Sequence, residues 1–302
     1  MARTFLQYDV FTDTALTGNQ LAVFPDGRGL APDLMQSIAR EMNFSETTFI
    51  LPAEQPGTDI RMRIFTPGLE LPMAGHPVIG STFALADAGT IRPGTERFVF
   101  GLGIGPTPVD LEWDEARLRF AWMTQRNPVF GPAIEDRATA AAALSLGVDD
   151  LSPRLPVQVV SCGLQYVLVP LRDREAVDRA VTDGAAMRRL AVVSGCDHGV
   201  FLFAMLPAGS DGTVYSRMFA PGAGVAEDPA TGSASGPLGS YLVRHKVVSD
   251  ATAKQIVSLQ GVAMKRPSRI HIAIEGDADT IRSVKVGGEA VLAARGELLI
   301  SD

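Results

Sequence analysis

The sequence is poor in cysteine, has no excess of basic residues and contains no long apolar run. Its 302 residues include two cysteines, Cys162 and Cys196, which fit no metal spacing and cannot form a disulfide framework. A reducing compartment is therefore expected. The net charge of −7 argues against nucleic acid or an anionic membrane as a partner, since either favours a basic face.

The apolar stretches are too short for a membrane helix. The longest, from Val200 to Leu206, is far below the roughly 20 residues that a membrane span needs. The first residues contain no apolar signal core, so we expect a cytoplasmic protein. An apolar fraction of 46% and a charged fraction of 20% are typical of soluble globular chains, and the length allows two domains.

What the sequence does contain is a duplicated pair of motifs. Arg-x-Phe-x-Pro-Gly begins at Arg63 and again at Arg217, 154 positions later. A block of the form His/Asp-Pro-x-x-Gly-Ser begins at His76 and again at Asp228, 152 positions later. We interpret the blocks as equivalent, related by one two-residue deletion. The period is far longer than that of a solenoid repeat, so two similar domains are predicted, with the active site where the copies meet.

Hydrophobic periodicity predicts strands with a few helices, which is an α+β pattern. Helices are predicted at 32–42, 132–146 and 173–193, and a small-residue helix is predicted to begin at His76 and again at Asp228. The chain becomes loop-like near 124–132. We therefore predict an N-terminal domain at 1–122 and a C-terminal domain at 123–294, with a last strand at about 295–302 that returns to the first domain.

The duplicated His/Asp-Pro blocks suggest a binding site for an anion. Each places backbone N–H groups at a helix N-terminus, where the exposed donors and the helix dipole favour negative charge. Two such ends at one cleft suit a small substrate that carries a carboxylate, and the hydroxyls of Ser81 and Ser233 add donors. The alternative is that Asp228 only caps its helix. The duplication with matching flanks favours binding.

The two copies differ at the residue that opens each block. His76 stands in one copy and Asp228 in the other, which indicates different roles at one site. A His beside an Asp can stay protonated, and either side chain could donate to the substrate or accept from it. The remaining histidines stand in no such motif and are predicted to be structural or at the surface: His198, His245 and His271.

Glu46 is the third candidate for catalysis. It stands where a loop enters an otherwise apolar strand, a place where Glu is depleted. In a closed cleft it would suit general acid/base chemistry, although the local sequence also fits a solvated Glu. The position 154 residues later is Val200, so the repeat provides no second Glu.

These motifs resemble those of the phenazine-biosynthesis PhzF-like family, whose members share the diaminopimelate epimerase fold. The matching stretches follow one another along nearly the whole chain, at 9–12, 18–19, 22–24, 43–49, 63–67, 74–80, 217–221, 227–234 and 260–268. The resemblance implies two pseudo-symmetric α+β domains, each a β-sheet wrapped around one central helix, with the active site in the cleft between them. It also implies a homodimer, no cofactor and no metal.

The resemblance also implies roles for particular residues. Glu46 matches the family's single acid/base, which takes a proton from one carbon of the substrate and returns one elsewhere. His76 and Asp228 match the other catalytic residues of the cleft. Gly75, Gly232 and Ser233 match the family's neighbouring glycines and serine and are assigned to substrate binding. We also assign Asn19 and Ser81 to substrate binding. Two positions depart from the family pattern: Gln20 stands where proline is usual, and Pro237 should kink or restart the second helix.

The predicted function is that of a cofactor-independent isomerase that moves a proton on a small carboxylate substrate. One alternative is a racemase or epimerase on the same fold, whose two-base version uses a thiol at each helix start. Neither Cys162 nor Cys196 lies in a repeat motif, which counts against that version. A second alternative is a binding protein that has kept the fold and lost catalysis.

Overall fold

The computed structural model describes residues 2–300, so Ser301 and Asp302 of the strand predicted at 295–302 lie outside the described part. Up to Gln125 the elements are β1 (Ala2–Val10), β2 (Asn19–Phe24), α1 (Pro32–Met42), β3 (Glu46–Pro52), β4 (Ile60–Phe65), β5 (Glu70–Leu71), α2 (Gly75–Asp87), β6 (Arg97–Leu102), β7 (Gly105–Asp114) and β8 (Arg117–Gln125).

The rest of the chain forms ten strands, five helices and two short 3-10 helices at Val148–Asp150 and Pro221–Ala223, as far as the structure describes it. In order they are β9 (Val129–Ala133), α3 (Arg137–Ala143), β10 (Gln158–Ser161), β11 (Gln165–Pro170), α4 (Arg174–Arg179), α5 (Gly184–Ser194), β12 (Val200–Met205), β13 (Val214–Ala220), β14 (Val225–Asp228), α6 (Gly232–Arg244), α7 (Asp250–Ala253), β15 (Ile256–Gln260), β16 (Ser268–Gly276), β17 (Ile281–Gly288) and β18 (Ala290–Leu299). Over residues 2–300, no helix is both long and apolar enough to cross a membrane.

The elements belong to two compact units. The first contains the residues up to Thr124 and those from Lys285 onward, and the second is Gln125–Val284. Strand β18 belongs to the first unit because it pairs antiparallel along the whole of β1, from Ala2 opposite Leu299 to Val10 opposite Ala290.

The sheets of the two units repeat one order of pairings. In the first unit β2 is parallel to β3, β3 antiparallel to β4, β4 parallel to β6, and β6 antiparallel to β7. In the second unit the same alternation of parallel and antiparallel pairs runs through β11, β12, β13, β15 and β16. The duplication predicted from the motifs is therefore present in the strand order of each unit.

One helix in each unit is buried along almost its entire length. In α2 every residue from Gly75 to Leu85 is buried, and in α6 every residue from Gly232 to Val243. Small residues make this possible: a Cβ added at Gly80 would lie 2.6 Å from side-chain atoms of Leu21 and Val10. A glycine inside a helix costs about 1 kcal/mol relative to alanine, and the close approach of the strands explains why it is used here.

The Ala-rich helix is shorter than its sequence predicts. It was expected over 132–146, but α3 covers Arg137–Ala143. The preceding segment pairs instead as β9 with β10, with Phe130 opposite Val160. The carboxylate of Asp136 then accepts the Thr139 N–H at 3.0 Å, and this N-cap fixes where the helix begins.

The second central helix begins later than predicted. Asp228 does not open it; Asp228 is the last residue of β14 and pairs with Met218 of β13, and α6 begins at Gly232. Pro237 lies inside α6, which continues through it to Arg244 without restarting. Proline has no N–H, so the carbonyl of Ser233 loses its intrahelical donor at this point.

The first motif of the repeat, Arg-x-Phe, is a structural device. Residues two apart on a strand share a face, so the guanidinium of Arg63 lies over the ring of Phe65, 5.1 Å from its centroid. The same guanidinium forms a bidentate ion pair with Glu70, with both nitrogen–oxygen distances at 2.7 Å. The motif thus ties β4 to β5.

The second copy of this device is more deeply buried. Arg217 pairs with Glu227 at 2.8 Å through two hydrogen bonds and lies 4.8 Å from the centroid of Phe219. It also donates to the carbonyls of Val177 and Ala180 at 3.0 and 2.8 Å. Arg217 therefore ties β14 and the end of α4 to β13.

Replacing each arginine by lysine is expected to reduce stability by different amounts in the two copies of the motif. Arg217→Lys should lower the free energy of unfolding by about 2–4 kcal/mol, because lysine cannot form the bidentate pair and Glu227, only 18% exposed, keeps an incompletely paired charge. Arg63→Lys should cost about 1 kcal/mol or less, since the Glu70 side chain is 41% exposed. Urea denaturation measures both, and equal losses would contradict this order.

Candidate active site

Three of the predicted site residues meet in the first unit. Glu46 begins β3, His76 is the second residue of α2, and Glu46 Oε2 lies 3.2 Å from His76 Nδ1. Asn19, the first residue of β2, places its Nδ2 at 3.2 Å from the same ring nitrogen. Asn19 and His76 are buried, and the Glu46 side chain is 13% exposed. One ring nitrogen therefore faces both an amide and a carboxyl group.

The strand order brings these residues together. Strands β2 and β3 are parallel neighbours with Leu21 opposite Glu46, so both strands begin at the same edge of the sheet. Helix α2 packs against β2 and β3 and begins with Gly75, after Ala74, which provides no side-chain cap. The start of the buried helix and the Glu46 carboxyl thus lie at one edge.

Burial keeps His76 neutral. Removal from water lowers the pKa of the ring to about 3, while a hydrogen bond with the Gln20 backbone acts in the opposite direction. Near pH 7 the ring is therefore a neutral imidazole and not the protonated imidazolium that the sequence alone allowed. Its other nitrogen, Nε2, is buried and has no hydrogen-bond partner among the described residues. That nitrogen is available to a bound substrate.

The low pKa of His76 should make stability depend on pH. Between pH 6.5 and about 3 the unfolded chain binds a proton at His76 that the folded chain does not, so stability falls as the pH is lowered through this window. His76→Asn removes this titration and should reduce the slope by about 1.4 kcal/mol per pH unit. The measurement is the free energy of unfolding at several pH values. His198→Asn, at an exposed position, should keep the wild-type slope, and an unchanged slope in His76→Asn would contradict the assignment.

Ser81 lies away from the helix start. It is fully buried inside α2, and its Oγ is 3.0 Å from the Oγ1 of Thr48 on β3. This hydroxyl links the helix to the sheet within the core of the first unit. Its position indicates a packing role, and the binding role predicted for it has no support from this contact.

The remaining predicted residues lie in the second unit. Asp228 is buried, and its Oδ2 accepts a hydrogen bond from the Thr231 hydroxyl at 2.5 Å. Gly232 begins α6 after Thr231, which provides no side-chain cap, and the Gly232 carbonyl accepts from the side chain of Gln125 at 2.9 Å. Ser233 is buried with its Oγ 2.7 Å from the Tyr166 hydroxyl.

The two His/Asp-Pro blocks are not structurally equivalent. Leu71 of β5 pairs with Ile64 of β4, and Asp228 of β14 pairs with Met218 of β13 in the same way. Asp228 therefore corresponds to Leu71, 157 positions earlier, and α2 and α6 also begin 157 positions apart. The alignment at a spacing of 152 is wrong. Relative to the Arg-x-Phe motif, the second copy carries a three-residue insertion in place of a two-residue deletion.

In the corrected alignment the counterpart of His76 is Ser233, since each is the second residue of its central helix. Each is held from the strand that corresponds to β2: Asn19 contacts His76, and Tyr166 of β11 contacts Ser233. Val200 remains the counterpart of Glu46, because it pairs with Val167 as Glu46 pairs with Leu21.

Sequence reasoning missed the side chains that hold the site residues. Tyr166, Gln125 and Gln260 were given no role, and Tyr166 and Gln125 lie outside every motif. Gln260 lies in one of the matching stretches, at 260–268, but its partner is 29 positions away. Only the strand order shows that such positions converge.

The sequence profile of the phenazine biosynthesis-like protein family matches residues 8–296. The chain belongs to this family. It is 36% identical to a trans-2,3-dihydro-3-hydroxyanthranilate isomerase of Pseudomonas aeruginosa, over 97% of this chain and 98% of that protein. It is 33% identical to an uncharacterized isomerase of Clostridium acetobutylicum, over 98% and 97% of the two chains. The chain is accordingly an enzyme of PhzF-type isomerase or epimerase function.

Solved structures confirm the predicted fold class. A phenazine biosynthesis protein of Bacillus anthracis is similar with a TM-score of 0.85 at 26% identity, covering 99% of this chain and 100% of that one. A predicted epimerase from Pseudomonas aeruginosa has a TM-score of 0.81 at 35% identity, with the same coverage. A probable proline racemase from Agrobacterium radiobacter shares the fold alone, with a TM-score of 0.70 at 13% identity over 99% and 93% of the chains.

Proposed function

We propose that the chain is a cofactor-independent isomerase that moves a proton between two carbons of a small carboxylate substrate. The observation that carries the proposal is the Glu46 carboxyl, which lies 3.2 Å from the buried His76 at the start of α2. Glu46 has no acidic counterpart in the second unit, where Val200 takes its place. One carboxyl group that both removes and returns the proton agrees with this asymmetry.

The reaction needs no oxidant or reductant. A C–H bond of the substrate breaks, its proton moves to the Glu46 carboxylate, and the electron pair enters the adjoining unsaturated system. The protonated Glu46 then gives a proton to a second carbon, where a new C–H bond forms as the double bond moves. Substrate and product have the same composition, and Glu46 returns to its carboxylate form.

The other predicted residues bind the substrate and assist proton delivery. His76 positions Glu46 through Nδ1 and offers the buried Nε2 to the substrate. The helix starts at Gly75 and Gly232 have no side-chain cap, which suits them to bind a carboxylate. We assign Asp228 and Ser233 to polar contacts with the substrate, following their match to the family.

Glu46→Gln tests the proposal directly. It should lower kcat by about 10²- to 10⁴-fold, because the amide keeps the shape of the side chain but cannot carry the proton. A suitable first substrate is trans-2,3-dihydro-3-hydroxyanthranilate, followed by other small carboxylates that carry an activated C–H bond. Glu41→Gln, on the exposed face of the neighbouring helix α1, should keep full turnover. Full turnover by Glu46→Gln would rule out the proposed role.

The second candidate is a racemase or epimerase, favoured by the similarity to the predicted epimerase at 35% identity. A two-thiol mechanism would need cysteines at the helix starts. Cys162 instead lies 3.8 Å from Ser240, and burial raises the pKa of its thiol to about 12. Burial also raises the pKa of Cys196. An epimerase on this chain would have to use another pair, such as Glu46 with His76.

Turnover in heavy water distinguishes the two candidates. The proposed isomerase should place deuterium on a carbon other than the one that lost its proton, with a shifted double bond. An epimerase should keep the bond pattern and place deuterium on the same carbon with inverted configuration. Proton NMR of the product reads both features, and inversion without a bond shift would contradict the isomerase. A homodimeric assembly and a cytoplasmic location stay predictions.

A further inference from the structure

The side chain of Gln260 closes a hydrogen-bonded loop around Asp228. Gln260 is the last residue of β15 and is fully buried. Its Nε2 donates to the Asp228 carbonyl at 2.7 Å and lies 2.9 Å from the Thr231 Oγ1. Its Oε1 accepts the Thr231 N–H at 3.0 Å. Thr231 in turn donates its hydroxyl to the Asp228 carboxylate at 2.5 Å. Gln260 therefore fixes both ends of the connection from β14 to α6.

The first unit shows what stands at these positions without such a loop. Ile60 pairs with Phe100 as Val214 pairs with Ser258, so Gln260 corresponds to Leu102. In the same alignment Asp228 corresponds to Leu71, and Thr231 to Ala74, the residue before the central helix. Three apolar residues of the first unit are thus replaced together by three polar residues in the second.

A buried polar set of this kind requires a reason. Burying polar groups costs free energy unless every group is hydrogen-bonded, and an apolar set of similar size serves the same connection in the first unit. Gln260 forms hydrogen bonds with the backbone of Asp228 and with the backbone of Thr231, whose hydroxyl donates to the Asp228 carboxylate. The fold does not need the set, so its use lies in holding Asp228.

We propose that Gln260 is a positioning residue for Asp228 in the isomerase reaction. It acts through the Asp228–Thr231 connection and does not itself contact the substrate. Gly261 supports this arrangement: it has a φ of +73°, and a Cβ there would lie 2.5 Å from the Pro229 carbonyl oxygen. The backbone of β15 can therefore approach the Asp228-Pro229 turn closely enough for Gln260 to reach it. The inference rests on the proposed function, which assigns Asp228 to the substrate.

The charged groups near residue 260 determine how variants will behave. Gln260 donates to the backbone carbonyl of Asp228, which is a titratable residue. Across the sheet Gln260 faces Ser268 on β16, and the charged Arg269 faces the neighbouring Leu259. Arg266 lies on the turn after Gly261, where its backbone N–H donates to the Gly261 carbonyl at 3.0 Å. A carboxylate at 260 would thus be placed beside the Asp228 carbonyl and carboxylate.

Two substitutions separate positioning from stability. Gln260→Leu copies the residue of the first unit and should lower kcat by roughly 10- to 100-fold, with KM changed less than about threefold. Gln260→Glu should restore activity at low pH, where the protonated side chain keeps an acceptor for the Thr231 N–H and an O–H donor for the Asp228 carbonyl. As the pH rises and this carboxyl ionises, its activity should fall relative to that of the wild type.

Gln158→Leu is the matched control. Gln158 is a partly buried glutamine of the same unit, and its side chain donates to the Gly131 carbonyl at 2.6 Å and contacts His245 at 2.9 Å. Its loss removes comparable hydrogen bonds without touching Asp228. Gln158→Leu should therefore keep wild-type kcat per folded molecule. A loss of activity in this control equal to that of Gln260→Leu would overturn the proposal.

A measurement without substrate keeps the inference separate from the proposed function. Hydrogen exchange at the Thr231 amide should be faster in Gln260→Leu than in the wild type, and slow in Gln260→Glu at low pH. If the wild type turns over none of the tested carboxylates, the proposed function fails, and this exchange alone decides whether Gln260 holds the connection. Unchanged exchange in Gln260→Leu overturns the proposal, as does unchanged kcat, or equal loss of activity in both variants at every pH.

Discussion

The burial of one entire helix in each unit is the constraint on which the rest of the structure depends. A helix start leaves backbone N–H groups without intrahelical partners, and neither Ala74 nor Thr231 provides a side-chain cap. At that end a polar side chain from the equivalent strand of each unit holds the side chain of the second helical residue: Asn19 contacts His76 in one unit, and Tyr166 contacts Ser233 in the other.

The buried helices also left a pattern in the sequence from which much of the fold could be predicted. The small residues of the two central helices, the duplicated Arg-x-Phe motif and the strand periodicity predicted two similar α+β halves, and the strand order agrees. The sequence singled out Glu46, His76 and Asn19. In the structure the Glu46 and Asn19 side chains both lie within hydrogen-bonding distance of one ring nitrogen of His76. Local patterns sufficed here because each of these residues stands at the beginning of a strand or helix.

The register of the repeat could not be obtained in that way. The blocks at His76 and Asp228 share a proline, a glycine and a serine. The first lies entirely inside a helix, whereas the second begins at the end of a strand and reaches its helix only at Gly232. The sequence alignment was based on these identical residues. The correct alignment is marked by Glu70 and Glu227, which are 157 positions apart and each form a bidentate ion pair with the arginine of their motif. A three-residue insertion is visible only when the strands are paired, because pairing tests which residues face one another.

The corrected register changes what the asymmetry of the two units means. Glu46 stands against Val200, and His76 against Ser233, so the first unit carries the carboxyl group and the imidazole. The second unit carries polar residues where the first has leucine: Asp228 against Leu71, and Gln260 against Leu102.

A duplicated fold needs neither set for its stability, since each unit forms the same pairings without the other's polar residues. Burying such groups costs free energy that apolar side chains at the same positions avoid. The different buried polar sets at the two helix starts therefore support the division of roles that we propose for the two units. The first unit carries a carboxyl group beside an imidazole, and the second carries a carboxylate held by a closed ring of hydrogen bonds.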